Sequence, residues 1–408
     1  MPSRLVYLDN AAATWPNPPE VIAAMARFLG EIGANPGRSG HPASVEAARA
    51  VYRTREAVAD LLGLSDPLRV IFTINATHAL NLAMNGLLTA ADHVVTTSME
   101  HNSVMRPLRA LEESGMELTV VGCSAEGLLD PAAIERALRP ETAMIVVNHV
   151  SNVVGTIQPI AEVATIARAR KVLLLVDGAQ SAGSIPVDVD GTGIDLFVFT
   201  GHKALCGPTG VGGLLISDRV DASRIRPLVR GGTGSASEME AQPDFLPDQL
   251  ESGTLNVVGL AGLEAAIGWL REQGVETIRA RERELTARLI EGLEDAPGAR
   301  VYGTLDAGRQ TGVVSFTIEN MDPAETDLRL NDDFGISARV GLQCSPASHK
   351  TIGTFPQGTE RLSVGPFTTP DDIDYAVGAV RAVCRAAGRA HSPRPHLDGA
   401  AWATDGAM

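Results

Sequence analysis

The feature that most constrains this chain is a series of short, continuous apolar runs spaced at helix-length intervals. They are Val70-Ile71-Phe72, Val94-Val95, Leu118 to Val121, Met144 to Val147, Val172 to Val176, Leu196 to Phe199 and Val211 to Ile216. Runs without polar alternation suit strands covered on both faces. Most gaps, such as Pro131 to Leu138 and Ile160 to Arg170, are long enough for a helix. A further helix is predicted from Ser44, as N-cap, to Gly63, with Val45, Ala48, Val51, Tyr52, Ala59 and Leu62 at helical spacing. The expected architecture from about Ser44 to Ser217 is an α/β unit on a mostly parallel sheet with helices on both faces. Ligands of such sheets bind beyond the carboxyl ends of the strands, so the residues after each run are the ones to inspect.

A second pattern begins near Asn256. Leu260 to Leu293 reads as one or two long charged helices interrupted around Gly274. Val313 to Ile318, Ile336 to Arg339 and Arg361 to Val364 read as strands, and a helix from Asp371 to about Ala387 closes the region. The expected division is a large unit, 15–256, and a smaller α+β unit made of 1–14 and 257–389. Residues 390–408, with Pro393 and Pro395, are expected to form a disordered tail.

Charge and cysteine usage exclude several functions. Lys and Arg number 34 against 49 Asp and Glu, a net charge of −15, which repels phosphate backbones and argues against nucleic acid as a general partner. The same balance leads one to expect a docking partner that is basic at the contact. No apolar run approaches the ~18 residues a membrane span needs, and Met1 to Asp9 does not read as a secretion signal. Cys123, Cys206, Cys344 and Cys384 are far apart and form no CxxC pair. That fits a reducing, cytoplasmic setting and argues against a disulfide framework or a metal site.

Two strand ends carry candidate chemistry. Leu196 to Phe199 leads into Thr200-Gly201-His202-Lys203, which sets a lysine just past a buried strand. A partly desolvated lysine there supplies free amine for a Schiff base, although an isolated lysine at a strand end is more often only exposed. Val172 to Val176 ends in Asp177-Gly178-Ala179-Gln180. A carboxylate ending a buried strand is costly without a positive partner. The pyridinium nitrogen of pyridoxal phosphate is such a partner, and an Asp capping the next turn is the plain alternative. Ala76 and Thr77 open a helix after Val70 to Phe72, where backbone N–H groups can hold a phosphate. Thr77 is equally an ordinary cap.

Asp177-Gly178-Ala179-Gln180, Thr200-Gly201-His202-Lys203 and Gly207-Pro208-Thr209-Gly210 together resemble the class V aminotransferases of the pyridoxal phosphate fold type I. Within that class they resemble the cysteine desulfurase and selenocysteine lyase family. Further matching stretches are Tyr7 to Ala12, Asn35 to His41, Glu100 to Ser103, Ser151 to Gly155 and Gly253 to Asn256, so the resemblance covers nearly the whole chain up to Cys384.

The resemblance implies that Lys203 binds the cofactor and moves the Cα proton. Asp177 would pair with the pyridinium nitrogen, Gln180 would reach the phenolic oxygen, and His101 would stack on the ring and act catalytically in proton transfer. Ala76, Thr77, Thr200 and His202 would hold the phosphate. Thr254 would reach the cofactor of the neighbouring subunit, which implies a homodimer. Asn152 and Arg361 would clamp the substrate carboxylate, with Arg339 close to the substrate.

Arg339-Val340-Gly341-Leu342-Gln343-Cys344 matches the family's Arg-x-Gly-x-x-Cys, with Cys344 in the position of the persulfide-forming residue. A buried, inert thiol is the alternative. Arg339, His349 and Lys350 are the cations near it in sequence, and the Gly341 to Gly358 loop reads as short and able to move. Cys206 is expected to be a silent core thiol. Leu342-Gln343 stands where related chains often carry His, while Ala76 replaces a common Thr and His78 a common acid. The implied activity is conversion of L-cysteine to L-alanine, with a persulfide on Cys344 for a protein acceptor. Selenocysteine lysis, transamination, epimerisation and β-elimination remain as alternatives.

Overall fold

The computed structural model describes residues 4–37, 40–236 and 238–390. The tail beyond residue 390 and positions 38–39 of the Asn35 to His41 motif lie outside them.

All seven apolar runs are strands of one seven-stranded sheet. They are β1 (Val70–Thr73), β2 (His93–Thr97), β3 (Glu117–Val121), β4 (Thr142–Asn148), β5 (Leu173–Asp177), β6 (Leu196–Thr200) and β7 (Gly212–Ile216). Their spatial order is β1-β7-β6-β5-β4-β2-β3. Six point the same way, and β7 runs antiparallel to both of its neighbours. Both faces are apolar, so successive residues feed two different cores. Ile145, Val147, Leu174, Val176, Phe197 and Phe199 meet the helices Pro42–Leu62, Ile160–Arg170 and Val257–Gln273. Val94, Met144, Val146, Leu175, Val198 and Leu214 meet the helices Ala76–Leu87 and Asn102–Glu113. The exception is β3, the last strand in the order, where Val120 is 36% exposed.

The opposite edge is covered by a side chain. The Glu251 carboxylate accepts the Phe72 N–H of β1 and pairs with buried Arg55, whose guanidinium also reaches the Val70 carbonyl. A donor that would otherwise offer the edge to another chain is thereby satisfied.

The second core lies on a four-stranded antiparallel sheet of β8 (Ala299–Tyr302), β9 (Val313–Ile318), β10 (Arg339–Gly341) and β11 (Thr359–Ser363), in the order β10-β11-β9-β8. Val6 and Leu8 join this core, and the segment Val6–Tyr7 pairs in parallel with Ile336–Ser337. Helix Val257–Gln273 packs into the first core, and the second takes its helical cover from Val275–Glu294 and Pro370–Ala390. Gly274, at φ 80°, turns the chain between the two helices. The helix expected to start at Ser44 begins at Pro42. His41 is its cap, accepting the Ser44 N–H at 3.2 Å, and Gly63 ends it at φ 65°. An imidazole nitrogen has performed the role expected of the Ser44 hydroxyl, which instead donates to the Asn35 carbonyl.

Candidate active site

The carboxyl ends of β1, β2, β4, β5 and β6 converge on one cleft of ≈ 230 Å³. Its lining brings together Ala76, Thr77, His101, Asn152, Asp177, Gln180, Thr200, His202 and Lys203. These positions span more than a hundred residues of sequence, and the parallel strands bring them to one edge.

Lys203 is held by its backbone. Thr14 Oγ1 donates to the Lys203 carbonyl at 2.9 Å, and the Cys206 N–H donates to the same carbonyl at 2.7 Å. The Lys203 ammonium has no hydrogen bond or ion pair among the described residues. Burial lowers its pKa to about 8; Asp177 opposes this, Arg361 adds to it, and Cys344 opposes it. The side chain thus has free amine available near neutral pH.

Asp177 ends β5 with its carboxylate buried. One oxygen accepts the Ala179 N–H at 3.0 Å. Burial raises the carboxyl pKa, against the pull of that hydrogen bond and of Lys203. The Gln180 amide donates to the Ala11 carbonyl at 2.9 Å, tying the N-terminal segment to the cleft.

At the helix Ala76–Leu87, Asn75 is the cap and accepts the His78 N–H at 3.0 Å. That leaves the Ala76 and Thr77 N–H groups without an acceptor among the described residues, at the positive end of a three-turn helix, a setting that favours an anion. Thr77 Oγ1 lies 2.7 Å from Ser103 Oγ, and Thr200 Oγ1 lies 3.1 Å from His202 Nδ1.

His101 caps the helix Asn102–Glu113. Its Nδ1 accepts the Ser103 N–H at 3.0 Å, so the neutral ring carries its proton on Nε2. Burial, reinforced by Lys203, Arg106 and Arg361, lowers the His101 pKa to about 4. Burial and Lys203 bring His202 to about 4 as well. Both rings are neutral at pH 7.

Arg361 is 3% exposed. Its Nη1 donates to the Asn152 carbonyl at 2.8 Å and its Nη2 to Asp9 Oδ1 at 2.8 Å, while its Nε has no partner. Arg339 sits farther out, 3.9 Å from Asp9 Oδ2. Thr254 is exposed, does not line the cleft and lies 3.5 Å from Asn35 Nδ2.

Cys344 is exposed, the opposite of an inert core thiol. The loop expected to move is fastened on both sides of it. Asn152 Nδ2 donates to the Gln343 carbonyl at 2.7 Å, Ser345 Oγ donates to Asn152 Oδ1 at 2.8 Å, and the Asn102 N–H donates to the Cys344 carbonyl at 2.9 Å. Gln343 and Cys344 both adopt left-handed backbone, at φ 41° and 59°.

His349 does not supply charge to the thiol. It is buried, its pKa is lowered to about 4 by burial against a hydrogen bond to the Leu342 backbone, and its nitrogens meet Gln343 Oε1 at 2.8 Å and Thr354 Oγ1 at 2.7 Å. Lys350 lies over the Phe355 ring, 5.0 Å from its centroid. Cys206 is fully buried, and burial raises its pKa to about 12, as expected of a silent thiol.

The Aminotransferase class-V family model matches residues 6–376. The chain belongs to that family. A class-V relative named "Probable cysteine desulfurase", from Methanothermobacter thermautotrophicus, is 35% identical over 373 residues, covering 90% of this chain and 92% of its own. "Cysteine desulfurase IscS" of Salmonella arizonae is 33% identical over 393 residues, with 92% of each chain covered. Among solved structures, apo cysteine desulfurase from Thermococcus onnurineus superposes with a TM-score of 0.88 at 30% identity, covering 94% of this chain and 95% of that one. The Escherichia coli cysteine desulfurase CsdA reaches 0.83 at 26% identity, covering 93% and 94%.

Three class-V site residues escaped the sequence reading. Asp9 holds Arg361, and Ser103 links Thr77 to His101. Glu100 lies fully buried behind His101, accepts from Thr97 Oγ1 at 2.6 Å, and is raised by burial to about 8. Asp9, Glu100 and Ser103 all fall inside the matching stretches. Their roles depend on contacts across the fold that spacing does not encode.

Proposed function

We propose that this class-V protein is a pyridoxal phosphate-dependent cysteine desulfurase that moves the sulfur of L-cysteine onto Cys344. The observation that carries this reading is the joint placement of a lysine with no partner among the described residues, a buried carboxylate on the adjacent strand, and an exposed thiol on a loop fastened to Asn152 of the same cleft. The residues fit the cofactor. Two helix-start N–H groups without acceptors suit its phosphate, Asp177 suits its ring nitrogen, and Lys203 suits its carbonyl.

Ala76, Thr77, Thr200 and His202 would hold the phosphate, Gln180 the phenolic oxygen, and His101 the ring face. When bound, pyridoxal phosphate supplies an electron sink that lets the Cα–H bond of an attached amino acid ionise. Lys203, as free amine, takes that proton and returns it. Arg361 and Asn152 hold the substrate carboxylate, with Arg339 at the outer rim. The Cys344 thiolate attacks the substrate sulfur and keeps it as a persulfide, and the three-carbon remainder leaves as L-alanine. Cysteine and enzyme thiol thus become alanine and enzyme persulfide, with no outside oxidant.

Thr254 is exposed and does not line its own chain's cleft, and Trp15, Ile22, Leu29, Tyr52 and Phe245 are exposed. Both features support a homodimer in which Thr254 completes the partner's site. Four free cysteines support a reducing, cytoplasmic location. Among the described residues no helix is long and apolar enough to cross a membrane.

The test is L-alanine release from L-cysteine, with 2-mercaptoethanol as sulfur acceptor, by the parent enzyme and by Cys344→Ala. The variant should bind the cofactor and lose alanine release by about a hundredfold or more. Equal release by both would overturn the assignment of Cys344.

A further inference from the structure

A groove of ≈ 730 Å³ lies beside the segment that follows Cys344, with Pro346, Ala347, Lys350 and Thr351 in its lining. One wall is the outer face of the helix Asn102–Glu113, and the other is the segment after Cys344. Cys344 is not itself in the lining but adjoins it, because its carbonyl takes the N–H of Asn102, a lining residue and the first of that helix. At 1.5 Å of rise per residue, Arg106 lies ~6 Å and Arg109 ~10 Å along the helix from that point. Lys350 lines the opposite wall, and Met105, Val120 and Ala347 contribute apolar surface.

The charge of this groove is opposite to that of the whole chain. Arg106, Arg109 and Lys350 face it, with Glu113 as the one acidic lining residue. Arg106 and Lys350 form no ion pair among the described residues, and Arg109 pairs only with exposed Glu112, at 2.6 Å. The net charge of −15 pointed to a basic partner. A Debye length of ~8 Å at physiological salt makes the cations within the groove decisive once a partner is close.

We propose that this groove docks the sulfur-accepting protein, and that the acceptor presents an acidic, partly apolar segment carrying its own cysteine. The proposal rests on the desulfurase reading and names the chemistry of the acceptor. In the transfer, the acceptor thiolate attacks the outer sulfur of the Cys344 persulfide. The S–S bond breaks, a new S–S bond forms on the acceptor, and Cys344 leaves as thiolate. One thiolate replaces another, so no further oxidant or reductant is involved. Cys123 also lines the groove, but burial raises its thiol to about 11 and it stays protonated, so it does not compete for the sulfur.

The experiment uses the holoenzyme and a short synthetic peptide with one cysteine flanked by glutamates and leucines. Matched peptides carry glutamines or lysines in place of the glutamates. Mass spectrometry follows persulfide transfer to each peptide, and alanine release with 2-mercaptoethanol is measured in parallel. The acidic peptide should accept sulfur ~10-fold faster than the glutamine peptide, with the advantage fading at high salt. Arg109→Glu combined with Lys350→Glu should abolish that advantage while alanine release with 2-mercaptoethanol is unchanged. Equal rates for the three peptides, a preference for the lysine peptide, or an advantage that survives both reversals would overturn the docking proposal. Absence of alanine release by the parent enzyme would overturn the desulfurase reading itself, and the docking proposal with it.

Discussion

Glu360 shows what residue-level chemistry the sequence left unread. It precedes Arg361 on β11, and strand alternation turns the two side chains to opposite faces. Arg361 turns to Asn152 and Asp9, and Glu360 shares the face of Leu362, in the second core, with both carboxylate oxygens buried and without partners among the described residues. Burial, aided by Asp327 and opposed by Arg361, raises its pKa to about 9. The folded protein therefore holds a proton there that the unfolded chain releases near pH 4.5. Stability should fall by up to about 1.4 kcal/mol per pH unit between those two values and level off above pH 9. Glu360→Gln should flatten that slope and raise the urea midpoint at pH 8, as read by circular dichroism. An unchanged pH slope would show that Glu360 is not the group responsible. Lys203 and Asp177 could be singled out because each follows a buried apolar run, and Cys344 because Arg339 to Cys344 resembles a family motif. Glu360 and Asp9 were not, because a carboxylate's meaning depends on what lies across the sheet from it.

At the scale of elements, the apolar runs sufficed to locate every strand of the large sheet, because both faces of that sheet are covered. They did not reveal that β3 is an exposed edge or that β7 runs against its neighbours, since an apolar run carries no direction. Ala299–Tyr302 escaped for the opposite reason, being short and half exposed. The Cys344 segment differed most from expectation. Its glycines suggested mobility, yet the Gln343 side chain braces it, donating to the Arg339 carbonyl at 3.2 Å and the Thr359 carbonyl at 3.0 Å and meeting His349 at 2.8 Å. Those bonds offset two consecutive left-handed residues, each costing on the order of 1–3 kcal/mol. Gln343→Ala should therefore lower stability by about 1–3 kcal/mol in denaturant titration. It should also slow persulfide formation on Cys344 more than it weakens cofactor binding. Equal losses in both would indicate general unfolding of the site.

At the scale of the whole molecule, the proposed homodimer is what would bring Thr254 to a cleft. Ile22, Leu29 and Trp15 are all exposed, at 65%, 64% and 53%, and Thr254 lies outside its own chain's cleft. Replacing both Ile22 and Leu29 with Glu should yield monomers in analytical ultracentrifugation and weaken cofactor retention ~10-fold or more. Monomers that keep the cofactor unchanged would remove the proposed role of Thr254.

The antiparallel strand β7 also sets an order of assembly. β1, which leads into the Ala76 and Thr77 N–H groups, touches the rest of the sheet only through β7. β7 is the strand reached directly after the Lys203 loop. A chain emerging from the ribosome can pair β2 to β6 among themselves, while β1 waits for β7 to close a loop of well over a hundred residues. The two ends of the proposed cofactor site are therefore united by a single late insertion. The yellow colour of bound pyridoxal phosphate would then report the completed sheet, and a chain stopped before β7 would stay colourless.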